Sequence, residues 1–305
     1  MNASPYRGRF APTPSGPLHF GSLVAALGSC LDARAQGGAW FLRIEDVDPP
    51  RVRAGAEAAI LRSLSVFGFE WDGPVTRQSC NGAAYQAALD RLDALGLVYG
   101  CRCSRKEIAE AGRRGVDGPV YPGTCRERGW RGEGGQAPAW RLRVPDIRVG
   151  FQDRLLGRVA CDIARECGDF VLKRADGAFA YQLAVVVDDA DQGITHVVRG
   201  ADLLVSTPRQ IVLQRGLGVP TPGYLHLPVV LDADGQKLSK QTLAAPLDDA
   251  APLPALLQAA RFLGMRPPAA VASVAAFWAW APGAWRGRDL PPVRGKRLAS
   301  RGDAG

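Results

Sequence analysis

Apolar positions in this chain follow two periods. Short, mostly apolar runs near Arg7 to Ala11, Phe41 to Ile44, Ile194 to Val198 and Leu227 to Leu231 predict strands. Apolar residues at three- and four-residue spacing predict helices over 19–36, 54–67, 83–95 and 202–216, the first of them written by Leu23, Ala26, Leu27, Cys30 and Leu31. Strands alternating with helices predict an α/β fold, a Rossmann-like parallel sheet wound by helices. Ligands of such sheets bind beyond the carboxyl ends of the strands, and Arg9, Glu45 and Arg199 stand at three of those ends.

The rhythm breaks between residues 97 and 175, where glycine, arginine and cysteine crowd the turns between strand-like pieces at Trp140 to Val144, Ile147 to Phe151 and Phe170 to Lys173. The chain therefore divides into a first half of the wound domain (1–96), an insertion (97–175), a second half (176–241) and a helical C-terminal region (242–305). Asp176-Gly177 predicts a two-residue hairpin that returns the chain from the insertion, leading into Ala178 to Tyr181. The last region carries helical patterns at Leu253 to Leu263 and Ala269 to Ala281, then a Gly/Pro/Arg tail from Pro282 whose composition suits disorder.

Composition narrows the partners. A 305-residue chain with 47% hydrophobic content can bury a substantial core, which excludes disorder throughout. The net charge of +8 rests on arginine, since the lysines are Lys106, Lys173, Lys237, Lys240 and Lys296 alone. Such a surface suits a phosphate backbone. Arg102, Arg105, Arg113, Arg114, Arg126, Arg128 and Arg131 form a track in the insertion that fits RNA phosphates or plain solvation equally well. The apolar run at 269–281 is too short to span a bilayer and no charged segment precedes an apolar stretch at the N-terminus, so a cytoplasmic protein without a membrane role is expected. Seven cysteines in that setting point to thiols or a metal site rather than a disulfide framework. Cys101, Cys103 and Cys125 cluster among turn formers at a spacing that fits tetrahedral Zn²⁺, with no fourth cysteine or histidine nearby.

Two distant stretches carry the remaining chemistry. Arg9-Phe-Ala-Pro-Thr-Pro-Ser-Gly-Pro-Leu-His-Phe-Gly21 runs from a strand through a Pro/Gly turn into a helix, which sets His19 and Gly21 at a helix N-terminus, an anion site. Lys237-Leu-Ser-Lys-Gln241 adds two lysines on a loop. Together they suit the triphosphate of ATP. His19-Phe-Gly-Ser22 and Lys237-Leu-Ser-Lys240 resemble the HIGH and KMSKS signatures of class I aminoacyl-tRNA synthetases, with Ser22 replacing the second histidine. Phe10 to Gly16, Leu42-Arg-Ile-Glu-Asp-Val-Asp48, Val186-Val-Asp-Asp189 and Ile194 to Gln210 resemble the glutamyl branch, over roughly residues 7 to 241.

That resemblance implies ATP with Mg²⁺, His19, Lys237 and Lys240 as catalytic groups, and His19, Gly21 and Lys240 on the ATP phosphates. It implies a pocket for L-glutamate built from Arg9, Phe10, Ala11, Pro12, Thr13, Glu45, Tyr181 and Arg199, with Glu45 on the ammonium and the arginines on the carboxylates. Asp188 and Asp189 become a structural, ribose-facing turn outside the catalytic set, and Tyr121 becomes the fourth ligand of one structural Zn²⁺ with Cys101, Cys103 and Cys125. Because only residues 242–305 follow the lysine loop, where glutamyl-tRNA synthetases carry a large anticodon-reading region, the chain resembles their truncated paralogues. Those activate glutamate without tRNA and join it to queuosine in the anticodon loop of tRNA(Asp), and the expected enzyme is a monomer. A minimal synthetase charging the tRNA 3′ end, or an inactive zinc-bearing RNA-binding paralogue, are the alternatives.

Overall fold

The computed structural model describes residues 5–128, 130, 137–232, 234–237, 245–287 and 290–297. In chain order the first lobe holds β1 (Arg7–Phe10), α1 (Phe20–Arg34), β2 (Ala39–Ile44), α2 (Ala56–Val66), β3 (Thr76–Arg77) and α3 (Gly82–Ala94). There follow β4 (Val98–Cys101), α4 (Arg105–Ala111), β5 (Arg114–Gly115), β6 (Gly118–Pro119), β7 (Ala139–Leu142), β8 (Arg148–Asp153), β9 (Gly157–Asp162), α5 (Ile163–Glu166) and β10 (Val171–Lys173). The chain then forms α6 (Tyr181–Asp191), β11 (His196–Gly200), α7 (Thr207–Leu217), β12 (Gly223–Leu227), β13 (Val229–Leu231), α8 (Pro252–Phe262), α9 (Val274–Ala284) and β14 (Gly295–Arg297).

Parallel pairing dominates where helices intervene. β1 pairs with β2 and β2 with β3, all parallel; β11 pairs with β12 and β12 with β8, also parallel, while β9 closes the edge antiparallel to β8. The two sheets are stitched where the Thr195 backbone N–H donates to Arg7 O at 3.0 Å and the Arg7 N–H to Thr195 Oγ1 at 2.9 Å. β8 and β9 thus belong to the wound sheet although they fall within residues 97–175. A smaller antiparallel sheet, β10–β7–β4, carries Cys101 at the end of β4.

α1 packs against β1, β2 and β11 through Leu23, Ala26, Leu27, Cys30 and Leu31, all buried, and α8 and α9 cover α1 with Leu256, Ala259, Phe277 and Ala281. Burying such side chains contributes roughly 1.5–3 kcal/mol each, which sets where the helices lie. The wound α/β architecture expected from the alternating periods is present.

Local differences have local causes. Gly177 takes φ +88 and Arg174 N–H reaches Ala178 O at 2.8 Å, so the turn forms; Lys173 and Phe179 then meet only as an isolated bridge and α6 starts at Tyr181. Asp188 and Asp189 accordingly lie on a helix, not a turn. The strand expected at Leu227 to Leu231 is split by Pro228, which has no N–H to pair. The last helix starts at Val274, where Ser273 Oγ accepts the Ala276 N–H at 3.1 Å. The tail is not structureless: Gly295–Arg297 pairs in parallel with Val229–Leu231. Among the described residues no helix is long and apolar enough to cross a membrane.

Candidate active site

A cleft of about 910 Å³ opens where β1, β2 and β11 end, and its walls include Arg9, Phe10, Ala11, Pro12, Thr13, His19, Gly21, Glu45, Tyr181, Arg199 and Lys237. Eleven residues singled out from five separated places in the sequence thus share one wall system. Lys240 lies outside the described residues.

His19 caps α1: its extended backbone (φ −118, ψ 173) precedes Phe20, and its Nδ1 accepts the Ser22 N–H at 3.3 Å. First-turn N–H groups lack intrahelical acceptors, and α1 has no acidic residue in its first turn, so this end of the cleft favours an anion. Ser22 occupies the cap as a backbone donor and also lines the cleft. Lys237 Nζ pairs with Asp202 Oδ2 at 2.5 Å on the opposite rim.

The floor is an alternating set of buried charges. Arg9 gives Nε and Nη2 to the two oxygens of Asp189 at 3.0 and 3.2 Å. Arg43, 1% exposed, approaches Asp189 at 2.8 Å, Asp188 at 3.6 Å and Glu45 at 3.6 Å, and donates to Gln192 Oε1 at 2.5 Å. Asp188 is further held by Gln78, Asn81 and Tyr85 at 2.8–2.9 Å. Burial alone would raise the Asp189 carboxyl, but Arg9 and Arg43 more than offset it and hold it below the usual range. Glu45 goes the other way: burial raises it, and Arg43 and Arg9 recover only part. Tyr181, at the start of α6, is pushed up to about 12 by burial and by Glu45, so its hydroxyl stays protonated.

Arg9 and Arg43 are therefore matched by Asp188 and Asp189, and Glu45 and Arg199 line the cleft beside them, with Arg51, Arg53, Asp202 and Lys237 also on its walls. Arg199 is 5% exposed; its Nε and Nη2 are hydrogen-bonded to His226, Thr207 and Gln210, and its buried Nη1 has no partner among the described residues. A zwitterion can set its ammonium at Glu45 and a carboxylate at Arg199 here.

The sequence reading passed over Arg43, Gln78, Asp153 and His226. Arg43 left a signal, since a charge inside the apolar strand Ala39–Ile44 is tolerable only with buried partners. His226 sits beside Arg199 in the β11–β12 register. His196 is half-buried and stacks on Tyr6 with ring centroids 4.1 Å apart.

A second cluster lies in the smaller lobe. The sulfurs of Cys101, Cys103 and Cys125 all lie within 4.8 Å of one another. Tyr121 Oη stands 3.4 Å from Cys101 Sγ and 3.5 Å from Cys103 Sγ, and accepts the Cys125 N–H at 2.8 Å. Cys103 and Cys125 sulfurs are 3.6 Å apart, near the roughly 3.8 Å edge of a tetrahedron with 2.3 Å metal–sulfur bonds. Burial works against the Cys125 thiolate, but hydrogen bonds from Arg102, Tyr121 and the neighbouring thiols bring it down to about 7. This donor set can hold a metal ion. Of the insertion arginines, Arg113 is spent on the Ala164 and Arg165 carbonyls, Arg126 on Asp169 and Val144 O, and Arg102 lies over the Trp130 ring; Arg131 is outside the described residues.

Known proteins share this plan. Residues 6–271 match the family described as tRNA synthetases class I (E and Q), catalytic domain. The chain is 61% identical over 297 residues to a glutamyl-Q tRNA(Asp) synthetase of Burkholderia mallei, covering 95% of this chain and 99% of that one. It is 61% identical over 292 residues to one of Dechloromonas aromatica (94% and 96% covered), and 55% over 291 residues to one of Chromobacterium violaceum (95% and 97%). Among solved structures, a glutamate tRNA ligase from Elizabethkingia meningosepticum in complex with its amino acid superposes with TM-score 0.76 at 24% identity, covering 96% of this chain and 67% of that one. A glutamate-tRNA synthetase from Elizabethkingia anophelis gives 0.77 at 24%, covering 97% and 68%.

Proposed function

The chain belongs to the class I tRNA synthetases (E and Q), and from that premise we propose that it activates L-glutamate with ATP and transfers it to queuosine in the anticodon loop of tRNA(Asp). The observation that carries the activation half is the charge arrangement of the cleft: buried Arg199, whose Nη1 has no partner among the described residues, and the half-buried carboxylate of Glu45, beside a helix N-terminus. The acceptor is supported by end-to-end similarity, at 55–61% identity, to proteins named glutamyl-Q tRNA(Asp) synthetase, whereas the chain spans about two thirds of the glutamate tRNA ligases it superposes on.

In this reading Glu45 receives the substrate ammonium, Arg199 and the remaining Nη1 of Arg9 receive carboxylates, and Tyr181 adds a hydroxyl donor. Phe10, Ala11, Pro12 and Thr13 shape the wall between glutamate and nucleotide. The bound carboxylate attacks the α-phosphorus; a P–O bond to glutamate forms as the bond to pyrophosphate breaks, and no base is needed because the nucleophile is already ionised. The N-terminus of α1 at His19 and Gly21 takes the phosphates, and Lys237 and Lys240 meet the charge of departing pyrophosphate. Mg²⁺ bound with ATP supplies further neutralisation there. A hydroxyl of the queuosine ring then attacks the mixed anhydride, its proton leaves, and AMP departs. Cys101, Cys103, Cys125 and Tyr121 would hold one Zn²⁺, which crosslinks a lobe too small to order itself by apolar burial.

The test has two arms. Glutamate should drive exchange of labelled pyrophosphate into ATP in the absence of RNA. Labelled glutamate should then reach tRNA from queuosine-containing cells and not tRNA from queuosine-free cells. Label recovered on the 3′-terminal adenosine would replace this reading by a minimal glutamyl-tRNA synthetase, and absence of exchange by a non-catalytic RNA-binding protein.

A further inference from the structure

Arg199 differs from the other cleft arginines in what satisfies it. Around it every acceptor is uncharged: Nε donates to His226 Nε2 at 3.2 Å, and Nη2 to Gln210 Oε1 at 2.8 Å, Thr207 Oγ1 at 2.9 Å and Leu203 O at 3.5 Å. Among the described residues the buried Nη1 has no hydrogen-bond partner. A cation solvated only by neutral dipoles retains its full attraction for a carboxylate, whereas one already paired with Asp or Glu does not.

His226 can accept from Arg199 only if its proton resides on Nδ1. Asp153 enforces that. Its Oδ2 lies 2.7 Å from His226 Nδ1 and 3.1 Å from the His226 backbone N–H, and its Oδ1 is taken by the N–H groups of Leu155 and Leu156 at 3.0 and 2.8 Å. A carboxylate only accepts, so the ring must present N–H at Nδ1 and a lone pair at Nε2. Both side chains are fully buried. Burial, with Arg199 alongside, pulls the imidazole down to about 4, which keeps it neutral.

We propose that Asp153 and His226 are positioning residues for Arg199, and that this tautomer-fixed, uncharged surround makes Arg199 select a carboxylate over an amide, setting the preference for glutamate over glutamine. The inference rests on the glutamate-activating reading above. A carboxylate that fixes an imidazole, which in turn orients the contacting group, follows the logic seen at metal sites.

Asp153→Asn tests it, because the new amide can donate to Nδ1 and drive the ring proton to Nε2, donor against donor with Arg199. In pyrophosphate exchange this variant should raise KM for glutamate at least about tenfold, the loss of one charge-assisted hydrogen bond, with KM for ATP unchanged within about twofold. Selectivity over glutamine should fall in the same proportion. His226→Gln, whose amide can still accept from Arg199 and donate to Asp153, should restore most of the glutamate affinity that His226→Leu loses. Independently of turnover, ¹⁵N shifts of the wild-type imidazoles (only His19, His196 and His226 are present) should show His226 Nε2 as the unprotonated nitrogen. A proton on Nε2 in the wild type, parallel rises of both KM values, or a loss confined to kcat would overturn the proposal. Wild-type protein without glutamate-dependent exchange would instead refute the functional reading, while the imidazole shifts would still decide the Asp153–His226 arrangement.

Discussion

A buried guanidinium whose Nη1 has no partner among the described residues is costly until an anion reaches it, so Arg199 should speak mainly through substrate affinity. Arg199→Ala removes a charge-assisted contact worth about 1.5–3 kcal/mol, which corresponds to a rise of about ten- to hundredfold in KM for glutamate with a much smaller change in KM for ATP, measured by pyrophosphate exchange. Glu45 makes a second prediction. Burial raises its carboxyl, so on acidification it takes up a proton at a higher pH than an ordinary glutamate and loses its hold on the substrate ammonium. KM for glutamate should begin to climb, as pH falls, at a pH above the ordinary glutamate value of 4.5, with KM for ATP flat, and Glu45→Gln should abolish the slope while binding weakly throughout. Arg9, Glu45 and Arg199 were legible because charges at strand ends are rare and fell within long motifs. Asp153 and His226 were not, since their work depends on the β11–β12–β8 order, and no local spacing encodes which strands become neighbours.

Elements were legible where one period ran undisturbed, as in α1, and illegible where side-chain type contradicted context. Leu183-Ala-Val-Val-Val187 is rich in β-branched residues, yet it forms the middle of α6, because Asp188 and Asp189 must reach Arg43 and Arg9 from the helix while the valines fill the core. Tertiary packing outweighed a weak local preference. β14 was hidden by composition: Gly295-Lys-Arg297 has strand character only because β13 offers it an edge. In the smaller lobe the close approach of Gly100 in β4 to Trp130 joins element to cysteine cluster. A Cβ at Gly100 would fall 1.9 Å from Trp130 O, a backbone atom that cannot swing aside. Gly100→Ala should cost roughly 1–3 kcal/mol or more, shift Cys101, and lower zinc content measured on purified protein. Chelation should act alike: transfer of glutamate to tRNA should drop, whereas exchange should persist, because the cluster shares no wall residue with the activation cleft.

Across the whole molecule, one buried carboxylate ties distant parts of the chain together. Asp32, on α1 and 1% exposed, accepts from Tyr6 Oη at 2.5 Å, from Arg154 at 2.6 and 2.9 Å, and from Trp285 Nε1 at 3.0 Å. It thereby links the segment before β1, the turn between β8 and β9, and the residue that ends α9. Burial alone would raise its carboxyl, but the hydrogen bonds from Arg154, Tyr6 and Trp285 prevail and hold it below its ordinary 3.8. A depressed folded value means that the native state favours the ionised form. The contribution is therefore present in full above the ordinary carboxyl value and is lost as pH falls through the lower folded value. Asp32→Ala leaves the Tyr6 and Trp285 donors without their buried acceptor, while Arg154, with 37% of its side chain exposed, regains water, so the change costs about 1–3 kcal/mol. Chemical denaturation near neutral pH should show that loss with glutamate-dependent exchange still measurable, since Asp32 does not line the cleft. The difference between wild type and Asp32→Ala should narrow as pH is lowered below the ordinary carboxyl range, because the wild type then gives up the same contacts by protonation. A difference that stayed constant with pH would mean that Asp32 acts by filling space rather than by charge.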